Sequence, residues 1–405
     1  MTPAPATGTV RFSARVDASA PNPVSAAEDA ARARGATLVK LNDSNPTVHG
    51  LAPALLPDPY RADPRGPVEA RRALATFIGS RDGRIVDPDR IYVLSSTSEA
   101  YSWIIKLMCD PGDVVLGPKP GYPLIESIAR LECVRSVDYP LVYDGSWTID
   151  MAALAELVDD VERHGGPDGA PGRVGAIVAI NPNNPTGSYV KPGERGRLVR
   201  LCAEHGIALI ADEVFFEYSL EPFDGNARLA GERGCLTFAF DGFSKMLAAP
   251  HAKVGWIEVS GPDDVVWQAQ RRLDVIADDF LPMGELIASR IPRMLAAVPS
   301  QVARVRARTR GNLTTLRRML DGDPLGVTSV LRPEGGWNVL LRFPSVIDEN
   351  ELVLTLIERR GMTGQPGYFF DMESNGHLAV SLLPEPKAFE RGVRAVLDTV
   401  ADLLA

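Results

Sequence analysis

From residue 91 onward, short runs of β-forming apolar residues alternate with stretches of helical periodicity, and few architectures accommodate that alternation. The runs Ile91–Leu94, Val114–Leu116, Val174–Ile180, Ile207–Ile210, Leu236–Phe240 and Val254–Val259 show no polar alternation. A strand without it has to be covered on both faces. Between them, Ser98–Met108, Met151–Val161 and Glu194–Glu204 carry the period of helices able to cover a sheet. The expectation is an α/β fold whose large domain holds a mostly parallel, doubly wound sheet. A long helical region, Asp263–Leu320, is followed by a new α/β section from Val327 that ends in a helix over Glu390–Leu404. The chain therefore divides into an N-terminal arm with part of a small domain (1–55), a large domain (56–290) and a small α/β C-terminal domain (291–405). Within the arm, Ala, Pro and Ser dominate and a helix-like patch spans Ser25–Arg34.

Composition narrows the partners. With 52 acidic against 43 basic residues the net charge is -9, which repels polyanions, and no basic stripe overrides it. Nucleic acid is excluded as a partner on that ground. The first twenty residues lack the apolar core of a signal peptide, and no apolar run reaches about 18 residues, so a cytoplasmic, membrane-free protein is expected. Cys109, Cys133, Cys202 and Cys235 form no CxxC pair and the five histidines are scattered, which predicts reduced thiols and no metal site.

In parallel α/β sheets ligands bind beyond the carboxyl ends of the strands, and four segments there carry chemistry. Leu236–Phe240 runs into Asp241-Gly242-Phe243-Ser244-Lys245, where apolar neighbours favour the uncharged, nucleophilic form of the Lys245 amine. Ile207–Ile210 continues to Asp212-Glu213. A carboxylate there can pair with a pyridinium N–H, or can equally cap a following helix. Val174–Ile180 ends in Asn181-Pro182-Asn183-Asn184-Pro185-Thr186-Gly187, a dense turn that sets the Asn184 amide beyond the strand. Ile91–Leu94 leads into Ser95-Ser96-Thr97-Ser98-Glu99-Ala100, where a helix opens. Its free N–H groups form a phosphate site, or its serine is a simple cap. Neither GxGxxG nor GxxxxGK[ST] occurs.

In their order and spacing, NPNNPTG, the Asp212-Glu213 strand end and Ser244-Lys245 with Gly255 ten residues on resemble the class I/II aminotransferases, the fold-type-I enzymes that use pyridoxal 5'-phosphate (PLP). The resemblance implies a PLP-dependent aminotransferase acting on an amino acid and a 2-oxo acid, with PLP bound in the large domain. It implies a Schiff base on Lys245 and Asp212 at the pyridine nitrogen as the catalytic pair. It further implies Asn184 at the ring hydroxyl, Tyr122 stacked on the ring, Ser96, Thr97, Ser98 and Lys253 around the phosphate, and Ser244 among the cofactor-binding residues. A homodimer with interface active sites is implied as well, Tyr60 of one subunit reaching the phosphate of the other.

Several positions depart from the family pattern. Lys253 stands where an arginine is usual, Gly242 where a hydroxyl is, and Phe215 where a tyrosine donates to the ring oxygen. In Gly376-His377-Leu378-Ala379-Val380-Ser381-Leu382, Ala379 occupies the place of the arginine that grips the substrate carboxylate. These changes open a second reading, a PLP enzyme of the same fold turned to elimination, oxidation or cyclisation of an amino acid in a specialised biosynthetic pathway. A third reading, a PLP-binding regulator, is opposed by the short arm and acidic charge. With Ala379 unable to donate, Arg65, Arg332 and Arg342 are the cations that could replace the missing one.

Overall fold

A computed structural model describes residues 8–18, 23–39, 41, 43–53, 55, 59–165, 172–221 and 225–405. Residues 1–7, 19–22, 40, 42 and 54 of the expected arm therefore lie outside the described residues. The helix-like patch is a helix over Pro23–Ala33.

Eight strands build the large sheet: β1 (Ile91–Leu94), β2 (Val114–Lys119), β3 (Arg135–Tyr143), β4 (Trp147–Ile149), β5 (Val174–Ile180), β6 (Ala208–Asp212), β7 (Thr237–Gly242) and β8 (Gly255–Ser260). Their order is β1-β8-β7-β6-β5-β2-β3-β4. The pairs β2–β3, β2–β5, β5–β6 and β6–β7 are parallel, whereas β8 runs antiparallel to both β1 and β7. The mostly parallel, two-face-covered sheet expected from the apolar runs is thus present. Every residue of β1, β5, β6, β7 and β8 is buried. One apolar cluster lies on one face, around Trp103, Ile104, Phe238 and Phe240, and a second lies on the other, around Leu154, Val158, Leu198 and Leu209. At about 1.5–3 kcal/mol for each fully buried large apolar side chain, these two layers dominate the stabilisation.

The sequence reading missed β3 and β4. Arg135–Tyr143 mixes Arg, Ser, Asp and Pro because it lies towards the sheet edge, where half-exposed positions tolerate polar residues.

A second sheet of four antiparallel strands, ordered β11-β12-β10-β9, comprises β9 (Ser329–Val330), β10 (Asn338–Arg342), β11 (Gln365–Pro366) and β12 (His377–Ser381). The helical region before it resolves into helices over Asp263–Phe280, Glu285–Ala288 and Ile291–Asp321. The strands alternate faces with period two. Val339, Leu341 and Leu378 pack with Leu313, Leu316, Phe389 and Val396 of the flanking helices, while Leu340 and Ala379 join the cluster of the large sheet. Asn338 and Ser381, opposite each other, lie two residues along that same second face.

Candidate active site

Six chain segments meet along one edge of the large sheet. Gly255, the first residue of β8, lies opposite both Leu94 at the end of β1 and Gly242 at the end of β7. Next in line, Asp212 at the end of β6 lies opposite Phe240 and Ile180. The turn after β5 and the Gly121-Tyr122-Pro123 loop after β2 complete the row.

Lys245 sits in a one-turn helix, Phe243–Met246, directly after β7. The buried Tyr218 hydroxyl is 2.8 Å from both the Lys245 and Met246 carbonyls and anchors this turn. The Lys245 Nζ stands 5.5 Å from the Phe215 ring centroid and 5.7 Å from that of Trp337, within cation–π range of both. Phe215 meets Trp337 edge-on at 5.3 Å, so the position that departs from the family's tyrosine serves as an apolar wall for the lysine. Gly242 departs for a steric reason. A Cβ there would come within 2.9 Å of the Val254 carbonyl oxygen and 3.1 Å of the Gly255 Cα, leaving no space for a hydroxyl side chain.

Asp212 is buried. Its Oδ2 accepts from the Tyr101 hydroxyl at 2.8 Å and its Oδ1 from the Val214 N–H at 3.2 Å. Burial pushes its carboxyl above the usual carboxylate range, against the pull of Tyr101, Val214 and the positive charge of Lys245. The Val214 bond is the local turn contact that a capping role predicts. The bond from Tyr101 and the position facing Lys245 exceed what a cap needs. Tyr101 lies one helical turn after Thr97, so the i, i+4 spacing of the phosphate-site helix could have pointed to it.

In the turn after β5, Asn181 and Asn183 are spent on structure. Asn181 donates to Glu213 Oε1 and accepts from the Val190 N–H, and Asn183 donates to the Pro120 carbonyl and to Thr186. Asn184 is half-buried and accepts at Oδ1 from Asn338 Nδ2 of β10, at 2.9 Å.

The helix Thr97–Met108 is capped by Ser96, whose Oγ accepts from the Glu99 N–H. Glu99 in turn accepts from the Ser95 N–H and hydroxyl. A serine cap with an acid in the first turn is therefore real, and Ser96 Oγ is engaged in it. The N–H groups of Thr97 and Ser98 still lie at the positive end of the helix. Gly255 is pressed against this end, a Cβ there lying 3.1 Å from both the Ser96 carbonyl carbon and the Thr97 nitrogen. Lys253, two residues earlier, is exposed and left-handed at φ 51°, and Ser244 is half-buried. Tyr122 is 46 % exposed. Tyr60 is 49 % exposed, and its backbone is tied to Thr47 and Asn45. The structure does not bring the Tyr60 side chain to this site within the chain.

Two of the replacement cations are already committed. Arg65 grips Asp274 through two bonds of 2.7 and 2.6 Å, and Arg332 pairs with Glu221 at 3.0 Å. Arg342 is exposed.

Beneath the site lies a charge network invisible to local reading, because its members are up to 160 residues apart. The buried Arg228 meets Glu213 Oε2 at 3.4 Å, Asp241 Oδ2 at 3.2 Å and Glu217 Oε1 at 2.9 Å. Arg81 reaches the same Asp241 oxygen at 3.2 Å. The neighbour of Asp212 and the residue four before Lys245 are thereby clamped together.

Among the described residues no group of His, Cys, Asp or Glu is arranged to hold a metal, and no helix is long and apolar enough to cross a membrane. The donor set instead fits PLP. It comprises an amine, a buried acid lacking a full cationic partner, an amide at a strand end and a helix N-terminus packed against glycine.

Comparison with known proteins agrees with that geometry. The family model described as aminotransferase class I and II matches residues 61–395. The alanine aminotransferase of Mycobacterium tuberculosis is 27 % identical over 407 residues, covering 92 % of this chain and 86 % of the relative. Among solved structures, the alanine aminotransferase from Pyrococcus furiosus superposes with a TM-score of 0.74 at 21 % identity, over 85 % of this chain and 84 % of that one. A PLP-bound aminotransferase structure from Clostridium difficile gives 0.70 at 14 % identity, over 84 % and 85 %.

Proposed function

This chain belongs to the class I and II aminotransferase family and is a PLP-dependent aminotransferase, and from that premise we propose that it exchanges an amino group between an amino acid and a 2-oxo acid with Lys245 as its catalytic amine. The observation that carries the residue assignment is the convergence of Lys245, Asp212 and Asn184 at the ends of the adjacent strands β7, β6 and β5. PLP, when bound, supplies an electron sink for the charge that develops at the substrate's α-carbon. Lys245 Nζ would hold the cofactor covalently and would carry the substrate α-proton from the α-carbon and back during transfer. The aromatic wall of Phe215 and Trp337 keeps water from this amine. Asp212, ionised, holds the pyridine nitrogen protonated, and Asn184 donates to the ring oxygen. Thr97, Ser98, Ser244 and Lys253 hold the phosphate, with Ser96 acting through its cap, and Tyr122 stacks on the ring.

The relatives named for alanine favour a small amino acid, and pyruvate and 2-oxoglutarate are the acceptors to try first. The large domain over 56–290 and the small one over 291–405 are the units we assign. A cytoplasmic homodimer with Tyr60 completing the neighbouring site fits the exposure of Tyr60. Borohydride reduction of the holoenzyme should fix the cofactor on wild type and leave Lys245→Ala unlabelled. Equal labelling of the two would remove Lys245 from its role. Absence of amino transfer across an amino-acid panel, with labelling intact, would favour elimination, oxidation or cyclisation instead.

A further inference from the structure

Asn338 opens β10 of the small sheet, yet its side chain bonds across to the large domain. Its Nδ2 donates to Asn184 Oδ1 at 2.9 Å, and among the described residues neither amide makes another hydrogen bond. On the face that it shares with Leu340, Ala379 and Ser381, the first two are apolar and buried. Ser381 Oγ accepts from the Leu383 N–H of its own chain segment. Of these four, Asn338 makes the bond that crosses to the site.

An amide side chain accepts at one end and donates at the other, so engaging the oxygen decides where the nitrogen points. We propose that Asn338 is a positioning residue: by occupying Oδ1 of Asn184 it turns the Asn184 Nδ2 towards the cofactor's ring oxygen, so that the small domain sets the donor presented by the large one. The inference rests on the reading of Asn184 as the ring-oxygen donor. A donor to the ring oxygen stabilises its anionic form, so the pH at which the bound cofactor's visible chromophore titrates reports the orientation of Asn184.

Asn338→Asp removes the donor and leaves acceptors alone. The Asn184 amide then has to present Nδ2 to the new carboxylate and turn Oδ1 to the ring oxygen. Visible-absorbance pH titration of the holoenzyme is the test, on wild type, Asn184→Ala, Asn338→Ala, Asn338→Asp and the double variant Asn184→Ala/Asn338→Asp. The expected result is an upward shift of roughly one to two pH units for Asn184→Ala and for Asn338→Asp. Asn338→Ala should give a smaller shift, and the double variant should match Asn184→Ala. A shift in Asn184→Ala with none in Asn338→Asp or Asn338→Ala would overturn the proposal and spare the Asn184 assignment. So would additive shifts in the double variant, since the new charge would then act without the amide. An unchanged Asn184→Ala titration would overturn the Asn184 assignment and the proposal with it.

Discussion

Tyr101 donates its hydroxyl to Asp212 Oδ2 at 2.8 Å, and both residues are buried. Tyr101 also meets Phe240 edge-on at 5.0 Å, one strand away from the acid, so its ring is fixed by packing and its hydroxyl is aimed. The consequence concerns the charge on Asp212. Burial disfavours the carboxylate and Tyr101 is one of the groups that restore it.

Tyr101→Phe keeps the packing and removes that bond. The Asp212 carboxyl should rise further, so a larger share of it is protonated and unable to hold a pyridinium. At the acid end of the range kcat/KM should fall roughly tenfold, as expected for the loss of one hydrogen bond to a charged group. The check is the pH profile of kcat/KM, whose acid limb should move to higher pH in the variant. Superimposed limbs would leave Tyr101 a packing residue.

Asp241 gives a prediction about stability. Burial raises its carboxyl to about 6, above the ordinary aspartate range, although Arg228, Arg81 and the Gly242 N–H pull it down. The folded chain therefore binds a proton that the unfolded chain has released. This contribution to stability is fully present below the unfolded value and is lost as pH rises from about 4 to about 6. Its size is on the order of 1 to 3 kcal/mol. Urea midpoints for wild type and Asp241→Asn at pH 4, 5, 6 and 7 should differ in slope across that window, with the variant lacking the decline. Parallel curves would mean that Asp241 stays ionised throughout.

Much of the fold could be read from the sequence because the central strands are continuously apolar. β1 and β5 have the residue limits read from the sequence, and β6, β7 and β8 lie within two residues of theirs. The placement of Lys245, Asp212 and Asn184 was legible for the same reason, since they follow those strands directly. What escaped depends on tertiary pairing. The Asn184–Asn338 bond spans 154 residues, and Arg228 joins three acids from two separate segments. Trp337 carries no motif and matters because it closes over Lys245. Arg65 and Arg332 looked available because single residues in sequence do not reveal Asp274 and Glu221 as their partners.

The engagement of those two arginines bears on the substrate. Ala379 is 8 % exposed and packed with Leu331, Leu340 and Phe370, so the strand that would present a cation presents a methyl group in an apolar seam. Its face neighbours Asn338 and Ser381 are neutral. A bidentate guanidinium–carboxylate pair contributes about 3 kcal/mol or more, because two charge-assisted bonds form together, and that energy separates substrates with a carboxylate from those without one. Without the pair, discrimination should shrink. An α-amino acid and the primary amine lacking its carboxylate alone are therefore expected to differ by less than roughly a hundredfold in kcat/KM for the amino-donating half-reaction. Single-turnover spectra with matched donors, such as alanine and ethylamine, measure this directly. A preference of several thousandfold for the amino acid would mean that a cation outside β12 grips the carboxylate after all.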